Sequence, residues 1–229
     1  TVGVVTPFGA FNLGRQYTPA FLMIQNQIDP FAGETVAQGR ETGMRFGAIT
    51  KVRVADSIRY DISMSGFNLG ASIAESNAVN GGGVPGASDK PFSIAANYAA
   101  GPFWVGIGYE NPADEDDKVW NIGGRYNFGF MTAALGYGRG TSAAGQEYTG
   151  WLLGATVPVG AVDIKAVYAT NKGDIVGTTR KIGVGAHYNL SKRTKIYVDF
   201  GKVSGDLTAI GAAVDANPSG YDLGVKHTF

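Results

Sequence analysis

The sequence predicts an all-β fold of consecutive antiparallel strands, and three observations support that prediction. Apolar and polar side chains alternate with a period of two along most of the chain, as they do in strands with one apolar face. Glycine occurs 35 times and aromatic residues make up 11 % of the 229 residues, whereas cysteine is absent. The segments between the alternating stretches are short and long in strict turn, which is typical of an up-and-down meander. We therefore expect about thirteen strands in a single domain that spans residues 1–229.

The alternation is clearest at the end of the chain. Tyr221, Leu223 and Val225 share one parity, whereas Asp222 and Lys226 share the other. Equally clear segments occupy 58–64, 120–128, 162–168, 181–189, 195–200 and 221–229, and weaker copies occupy 1–6, 10–17, 67–74, 92–99, 103–110, 130–138 and 147–157. Because no helical period of comparable strength competes with them, each of these segments is predicted to be a strand.

The connections between these segments indicate how the strands are arranged. Short connections fall at 7–9, 65–66, 100–102, 129, 158–160 and 191–193, and long ones at 18–50, 75–91, 111–117, 139–146, 170–179 and 202–220. This rhythm places tight turns on one rim of an antiparallel sheet and long loops on the other. Transmembrane β-barrels have the same arrangement.

Composition and face chemistry then narrow the class of protein. Nineteen basic residues balance nineteen acidic ones, which argues against a nucleic-acid binder. The lack of cysteine excludes disulfide scaffolds and thiol chemistry, and no apolar run is long enough for a transmembrane helix. The polar parity carries mostly Gly, Ser, Thr and Asn, and the apolar parity repeatedly ends in aromatic rings that suit a membrane interface, such as Tyr60, Trp120 and Phe229. This pattern favours a water-filled transmembrane barrel over a soluble sandwich, whose polar face would carry more charge.

Four segments carry a resemblance to a known family. They are FNLGRQY at 11–17, DPF at 29–31, DSIRYD at 56–61 and GVKHTF at 224–229. In this order and spacing, the sequence resembles the trimeric general porins of the Gram-negative outer membrane, in their proteobacterial version, over essentially the whole chain. The resemblance implies a sixteen-stranded transmembrane up-and-down antiparallel β-barrel that forms a homotrimer. The implied function is a water-filled channel for passive diffusion of small hydrophilic solutes and ions, an ion and solute transport role.

The resemblance also implies the partners of the chain. They are outer-membrane lipid and lipopolysaccharide, the diffusing solutes, and the barrel-assembly machinery, which would recognise the terminal Phe229. No cofactor and no nucleic acid are expected.

The number of visible strands departs from the family pattern. Thirteen is odd, so Thr1 would lie on the loop rim and Phe229 on the turn rim, whereas the family has both termini on the turn rim. The chain also begins without Met or a leader. We therefore predict that the first three strands are missing from this sequence, on the order of 80–100 residues at family strand and loop lengths. Alternatively, residues 1–6 do not pair and twelve strands close a narrower barrel.

The longest connection, 18–50, is the predicted pore constriction. It carries Asp29, Glu34 and Glu41, and the resemblance implies that it folds into the pore with these acids facing basic wall residues. By parity Arg59 and Asp61 point into the lumen, and so does Arg53 if the strand has no bulge between them. Opposed charges across a constriction would decide ion preference. The alternative is that the three acids are solvated loop residues.

Further charged residues are predicted to line the pore. They are Arg125, Lys165, Lys181, Lys195 and Lys226, with Asp163, Asp199 and Asp222 on the same parity. With Arg53 and Arg59 added to the basic set and Asp61 to the acidic set, seven basic groups face four acidic ones. This excess indicates a weak anion preference, which the loop carboxylates would offset. Glycines on this parity are interpreted as leaving room for water. Arg15 shares the parity of Leu13, so a lumenal position and a subunit contact stay open for it.

Other functions find less support in the sequence. An enzyme would need a nucleophile beside a base, but His187 is predicted to face the lumen and His227 the exterior, so no catalytic residues are expected. Neither histidine has the spacing of a metal ligand. The acidic run 114–117 could bind a divalent cation, although a solvated loop is the simpler interpretation. An outer-membrane structural or adhesion barrel that acts through its external loops remains the alternative function.

Overall fold

One antiparallel sheet of thirteen strands makes up most of the molecule. The structure, a computed structural model, describes residues 1–46, 49–75, 90–112, 117–175, 177–206 and 218–229. The strands are β1 (Val2–Thr6), β2 (Gly9–Tyr17), β3 (Arg53–Met64), β4 (Phe67–Ala74), β5 (Phe92–Ala100), β6 (Phe103–Asn111), β7 (Lys118–Asn127), β8 (Thr132–Thr141), β9 (Glu147–Val159), β10 (Val162–Gly173), β11 (Gly177–Asn189), β12 (Thr194–Gly205) and β13 (Ser219–His227). Each strand pairs with its neighbours in sequence, so the all-β, up-and-down prediction is confirmed.

Several strands extend further towards the loop rim than the alternation predicts. The pairing of β10 with β11 continues through Asn171↔Thr179 to Gly173↔Gly177, although residues 170–179 were expected to form a long loop. The side chains of this part of the hairpin are mostly polar on both faces. Because an alternation signal needs one apolar face, it ends where the apolar belt ends, while the backbone ladder continues.

The two faces of the sheet differ in the way the alternation predicts. On β13, Tyr221 is 83 % exposed and Leu223 and Val225 are also exposed, whereas Asp222 and Lys226 between them are half-buried. Directly paired rings lie near the turn rim: Phe67 and Tyr98 have their centroids 4.3 Å apart, and the next such pair, Phe103 and Tyr126, 4.6 Å apart. Such pairs add about 0.5–1.5 kcal/mol each beyond their burial. The apolar face is therefore the convex one, with aromatic rings at its edge.

The two outermost strands are each paired on one side. β1 pairs with β2 from Val2↔Leu13 to Thr6↔Gly9, and β13 pairs with β12. Both strands lie wholly within the described residues, and these show no pairing of β1 with β13. Because Val2–Thr6 pair with β2, the alternative in which residues 1–6 stay unpaired and twelve strands close a barrel is wrong. The three further strands stay a prediction.

The connection between β2 and β3, residues 18–52, is called the inner loop here, and its described residues, 18–46 and 49–52, lie on the concave face of the sheet. It contains a π-helical turn, Phe21–Gln25, that continues into α1 (Asn26–Ile28), followed by α2 (Arg40–Gly43). Within the described ranges, no helix has the length and hydropathy to cross a membrane. The inner loop and the wall together enclose the main apolar core, made of Ile24, Ile28, Phe31, Ala37, Met44, Ala95, Trp104, Ala134, Leu152, Val167 and Ala169.

Candidate functional site

The inner loop packs on a track of wall glycines. A Cβ added to Gly106 would lie 2.6 Å from Ile24 Cδ1, and one added to Gly154 would lie 2.6 Å from Pro30 Cγ. The same close approach to the inner loop recurs along the concave face at Gly123, Gly136, Gly138, Gly150, Gly183 and Gly201. A side chain at any of these positions would require the inner loop to shift, so glycine is what lets the loop lie this close to the wall. Our interpretation that these glycines leave room for water is therefore wrong, because most of that room is taken by the loop.

Polar side chains on the wall fix both ends of the inner loop. Glu110 on β6 is fully buried, and its carboxylate accepts a hydrogen bond from Thr18 Oγ1 at 2.8 Å and from the Lys51 backbone N–H at 2.5 Å. Asn121 on β7 accepts from Gln25 Nε2 at 2.8 Å and donates to the Met44 carbonyl at 3.0 Å. Sequence reasoning missed both wall residues. The available signal was that Glu110 shares the inward parity of Gly106 and Gly108.

Asp29 holds the inner loop together from inside. Its Oδ1 accepts from the Phe31 N–H at 2.9 Å, and its Oδ2 accepts from the N–H groups of Gly39 at 2.9 Å and Arg40 at 3.0 Å. The residue is only 4 % exposed. Burial raises the pKa of the Asp29 carboxyl above its usual range, while the three backbone donors and the Arg40 charge act to lower it. Asp29 is therefore a buried acceptor for the loop backbone, and its charge also acts on Lys181 of the wall.

The other two loop acids are paired at the surface of the inner loop. Glu34 forms an ion pair with Lys226 of β13, so it does meet a basic wall residue. Glu41 forms one ion pair with Arg45 and a second, at 3.5 Å, with Arg40. Glu34 thus links the loop to the wall, whereas Glu41 is neutralised within the loop.

The predicted basic residues of β3 are separated by a bulge. Between Gly14↔Ser57 and Gln16↔Val54 the register with β2 shifts by one residue, and Asp56 has a positive φ of 47°. The condition that placed Arg53 on the face of Arg59 is therefore not met.

The two arginines have different partners. The Arg53 guanidinium lies 4.0 Å above the ring of Tyr17 and donates to the Tyr17 hydroxyl. Arg59 is buried on the concave side, donates to the Tyr17 carbonyl at 3.0 Å and forms a 2.5 Å ion pair with Asp61. Arg59 and Asp61 are thus brought together, and Arg53 belongs to a separate cluster.

The remaining predicted wall residues are all half-buried. These are Arg125, Lys165, Lys181, Lys195 and Lys226. Lys165 Nζ donates to the Pro30 carbonyl at 2.8 Å, and Asp222 accepts from the Val36 N–H at 3.1 Å. Several charged side chains of the concave face therefore hold the inner loop in place.

The histidines and Arg15 lie where parity puts them. His187 is buried on the concave face, where its Nε2 lies 3.1 Å from both carboxylate oxygens of Asp199. His227 is exposed and lies 2.9 Å from Thr194 Oγ1 through its Nδ1. Arg15 is exposed on the side of Leu13. Of the acidic run 114–117, only Asp117 is among the described residues. Nowhere in the described residues do three His, Asp or Glu side chains lie close enough together to bind a metal ion.

Cavities remain between the inner loop and the wall. One of about 420 Å³ is lined by residues that include Gln27, Arg59, Asp61, Asn68, Asn97, Trp104 and Arg125. A second of about 350 Å³ is lined by Asn26, Gln27, Ile28, Asp29, Pro30, Ala32, Arg125, Thr132, Ala134 and Thr156. Gln27 and Arg125 border both. The linings mix charged, amide and apolar groups, which suits hydrated solutes.

Comparison with known proteins is consistent with this geometry. The sequence profile of the Gram-negative porins matches residues 1–208. An outer membrane porin protein of Bordetella pertussis is 25 % identical over 280 residues, which cover all of this chain and 71 % of that protein.

Solved structures share the fold. The anion-selective porin from Comamonas acidovorans superposes with a TM-score of 0.80 at 22 % identity, over all of this chain and 77 % of that one. The trimer form of OmpT from Vibrio cholerae gives 0.71 at 17 % identity, over 98 % of this chain and 78 % of that one. With the profile matching most of its length, the chain belongs to the family of Gram-negative porins, proteins of the bacterial outer membrane.

Proposed function

We propose that the protein forms a water-filled channel for passive diffusion of small hydrophilic solutes and ions across the outer membrane. The observation that carries this proposal is the inner loop, which lies against the concave wall and leaves polar, charged cavities of about 420 and 350 Å³ beside it. A loop fixed on one side of a barrel narrows the passage without closing it. The porin family itself indicates a channel rather than an enzyme.

Selectivity would arise from charges that stay unneutralised along this passage. Asp61 is paired with Arg59, and Glu34 with Lys226, so these groups largely cancel. In the described part of the chain, four cations of this face form no ion pair (Arg125, Lys165, Lys181 and Lys195), against three acids that form none (Asp29, Asp163 and Asp222). The balance supports a weak anion preference, and the name of the Comamonas relative, an anion-selective porin, is in keeping with it.

The assembly proposed for this chain is a homotrimer. The Vibrio relative was solved in a trimer form, and Arg15 is exposed on the outward side of β2, where a subunit contact would accommodate a charge. The terminal Phe229 is fully exposed and stacks edge-on against His227, with ring centroids 4.9 Å apart. It is therefore accessible to the proposed barrel-assembly machinery, while the exposed apolar outer face would contact lipid and lipopolysaccharide.

A structural or adhesion barrel is the second candidate function. It is favoured by the glycine track, because lumen-side glycines that accept the inner loop no longer argue for an open, water-filled interior. The two functions differ in whether ions pass.

Single-channel recording of the purified protein in a planar bilayer separates the two candidates. A channel gives stepwise currents, and in a salt gradient the sign of the reversal potential should then indicate a preference for anions. Correctly folded protein that inserts without any stepwise current would reject the channel, and clear cation preference would reject the proposed selectivity.

A further inference from the structure

Arg125 differs from the other lumenal cations in the way it is held. It is the direct cross-strand partner of Trp104, and its guanidinium carbon lies 4.7 Å from the centroid of the indole ring. Such cation–π contacts orient a guanidinium flat on the ring and leave its N–H edge directed sideways. Within the described residues, Arg125 makes no hydrogen bond and no ion pair. The donors of this oriented group are therefore not consumed by the protein.

The glycine track explains why Arg125 borders the cavities beside the inner loop. On β6 the inner loop covers Gly108 and Gly106, and on β7 it covers Asn121 and Gly123. The next inward position towards the turn rim is Trp104 on β6 and Arg125 on β7. The inward side chains of the wall thus change from glycine to large residues at the turn-side edge of the area that the inner loop covers. Arg125 and Trp104 form a shelf on the turn side of the inner loop.

The charges around this shelf leave a net positive site. Arg125 borders both cavities beside the inner loop. In the larger one, Asp61 is the acidic group and is paired with Arg59. In the smaller one, the acid is Asp29, whose oxygens are occupied by three backbone N–H donors and whose charge is met by that of Arg40. The Arg125 charge is therefore not cancelled from either side.

Gln27 adds a second donor at the same place. It borders both cavities together with Arg125, and its Nε2 donates to the Leu22 carbonyl at 3.3 Å. A side-chain amide nitrogen carries two hydrogens, so one can serve a ligand. A planar guanidinium presents two parallel N–H groups that match two oxygens of one anion better than they match a spherical ion. This donor set suits a compact oxyanion.

We propose that Arg125, stacked on Trp104 beside Gln27, is a binding position for small oxyanions such as inorganic phosphate on the turn side of the inner loop. The inference rests on the proposed channel and deepens it. It names the class of solute that would pause in the passage and the residue that would hold it.

The test is a titration of the chloride current through single channels of the purified protein with inorganic phosphate. Phosphate should reduce the wild-type current, because an anion that stays longer at Arg125 obstructs chloride. Arg125→Gln should raise the half-blocking phosphate concentration about tenfold, which corresponds to about 1.4 kcal/mol. Arg125→Lys should fall between the two, since lysine keeps the charge but lacks the planar pair of donors.

Arg139→Gln is the matched control. It removes the same charge from the outward face of β8, where Arg139 pairs with Glu147, and it should leave the phosphate titration unchanged. Equal half-blocking concentrations in wild type and Arg125→Gln would overturn the site, as would an equal shift in the control. If Arg125→Gln gives no channels, the Arg125→Lys variant decides. A half-blocking phosphate concentration of Arg125→Lys equal to that of the wild type would then overturn the proposal. A wild-type protein without stepwise current overturns the channel and the site with it, whereas chloride current insensitive to phosphate overturns the site alone.

Discussion

Gly183 on β11 faces the inner loop at a point where the loop's backbone, rather than a flexible side chain, comes closest. A Cβ at this position would overlap the Ala37 carbonyl oxygen and would lie 2.7 Å from the Ala37 carbonyl carbon. Ordinary contact begins near 3.4 Å, so the Ala37 carbonyl carbon would have to retreat by at least about 0.7 Å, the difference between these two distances, and its carbonyl oxygen by more. Retreat of the loop from the wall means movement into the passage.

Gly183→Ala should therefore change both stability and conductance. Forcing extra atoms into a packed interior costs typically about 1–3 kcal/mol, and we expect that loss in the free energy of unfolding. Single-channel conductance should fall, because the inner loop narrows the opening further. Denaturant unfolding of detergent-solubilised protein measures the first quantity, and planar-bilayer recording measures the second.

Gly220→Ala is the control for this substitution. Gly220 lies on the same concave face, but an added Cβ would meet Val36 Cγ1 at 3.7 Å, an ordinary contact. The same methyl group should therefore be tolerated there, with conductance unchanged. The reasoning is refuted if Gly183→Ala matches wild type in both measurements, or if Gly220→Ala is equally destabilising.

Three further substitutions test the contacts of the inner loop. Asp29→Ala leaves three buried backbone N–H groups without their acceptor and should lower the free energy of unfolding by about 2–4 kcal/mol in denaturant titrations, so a loss below about 0.5 kcal/mol would contradict its role. Glu110→Gln replaces one acceptor oxygen by a donor nitrogen and should cost about 1–2 kcal/mol in the same measurement, whereas an unchanged midpoint would show that Thr18 and Lys51 do not depend on the carboxylate. Glu34→Gln breaks a half-exposed ion pair and should change the free energy of unfolding by less than about 1 kcal/mol. Because Lys226 is left uncompensated, the reversal potential should move towards anion preference. A shift towards cation preference would count against that assignment.

The strands could be predicted from sequence because the membrane imposes a simple rule on them. A segment such as 221–229 shows its alternation because lipid requires one apolar face and the interior tolerates polar groups. Around Thr178 both faces are polar, so the signal disappears although the ladder continues. The bulge at Asp56 was equally hidden, because its positive φ follows from the pairing with β2 and not from any local pattern. That one inserted residue separated Arg53 from Arg59.

The candidate site was harder to predict because its contacts join residues that are far apart in sequence. Asp29 looks like a solvent-facing acid in an irregular segment, and only the folded loop brings the N–H groups of Gly39 and Arg40 to its oxygens. The wall glycines look like empty space for the same reason. Gly183 meets Ala37 across 146 residues of chain, the difference between the two numbers, so no local pattern could reveal the contact.

The position of the inner loop is consequently set by residues that do not face the passage. Gly183 and Gly106 determine how closely the loop approaches the wall, and Glu110 fixes where its two ends leave the sheet. Apolar packing along so many strands resists continuous displacement, since a packed interface gains or loses its contacts together. In the proposed channel, the residues that do border the cavities, such as Arg125, would act on solutes from fixed positions. The proposal therefore assigns width and ion preference to separate residues. A change in the glycine track should alter conductance without altering selectivity, and a change at Arg125 should do the reverse.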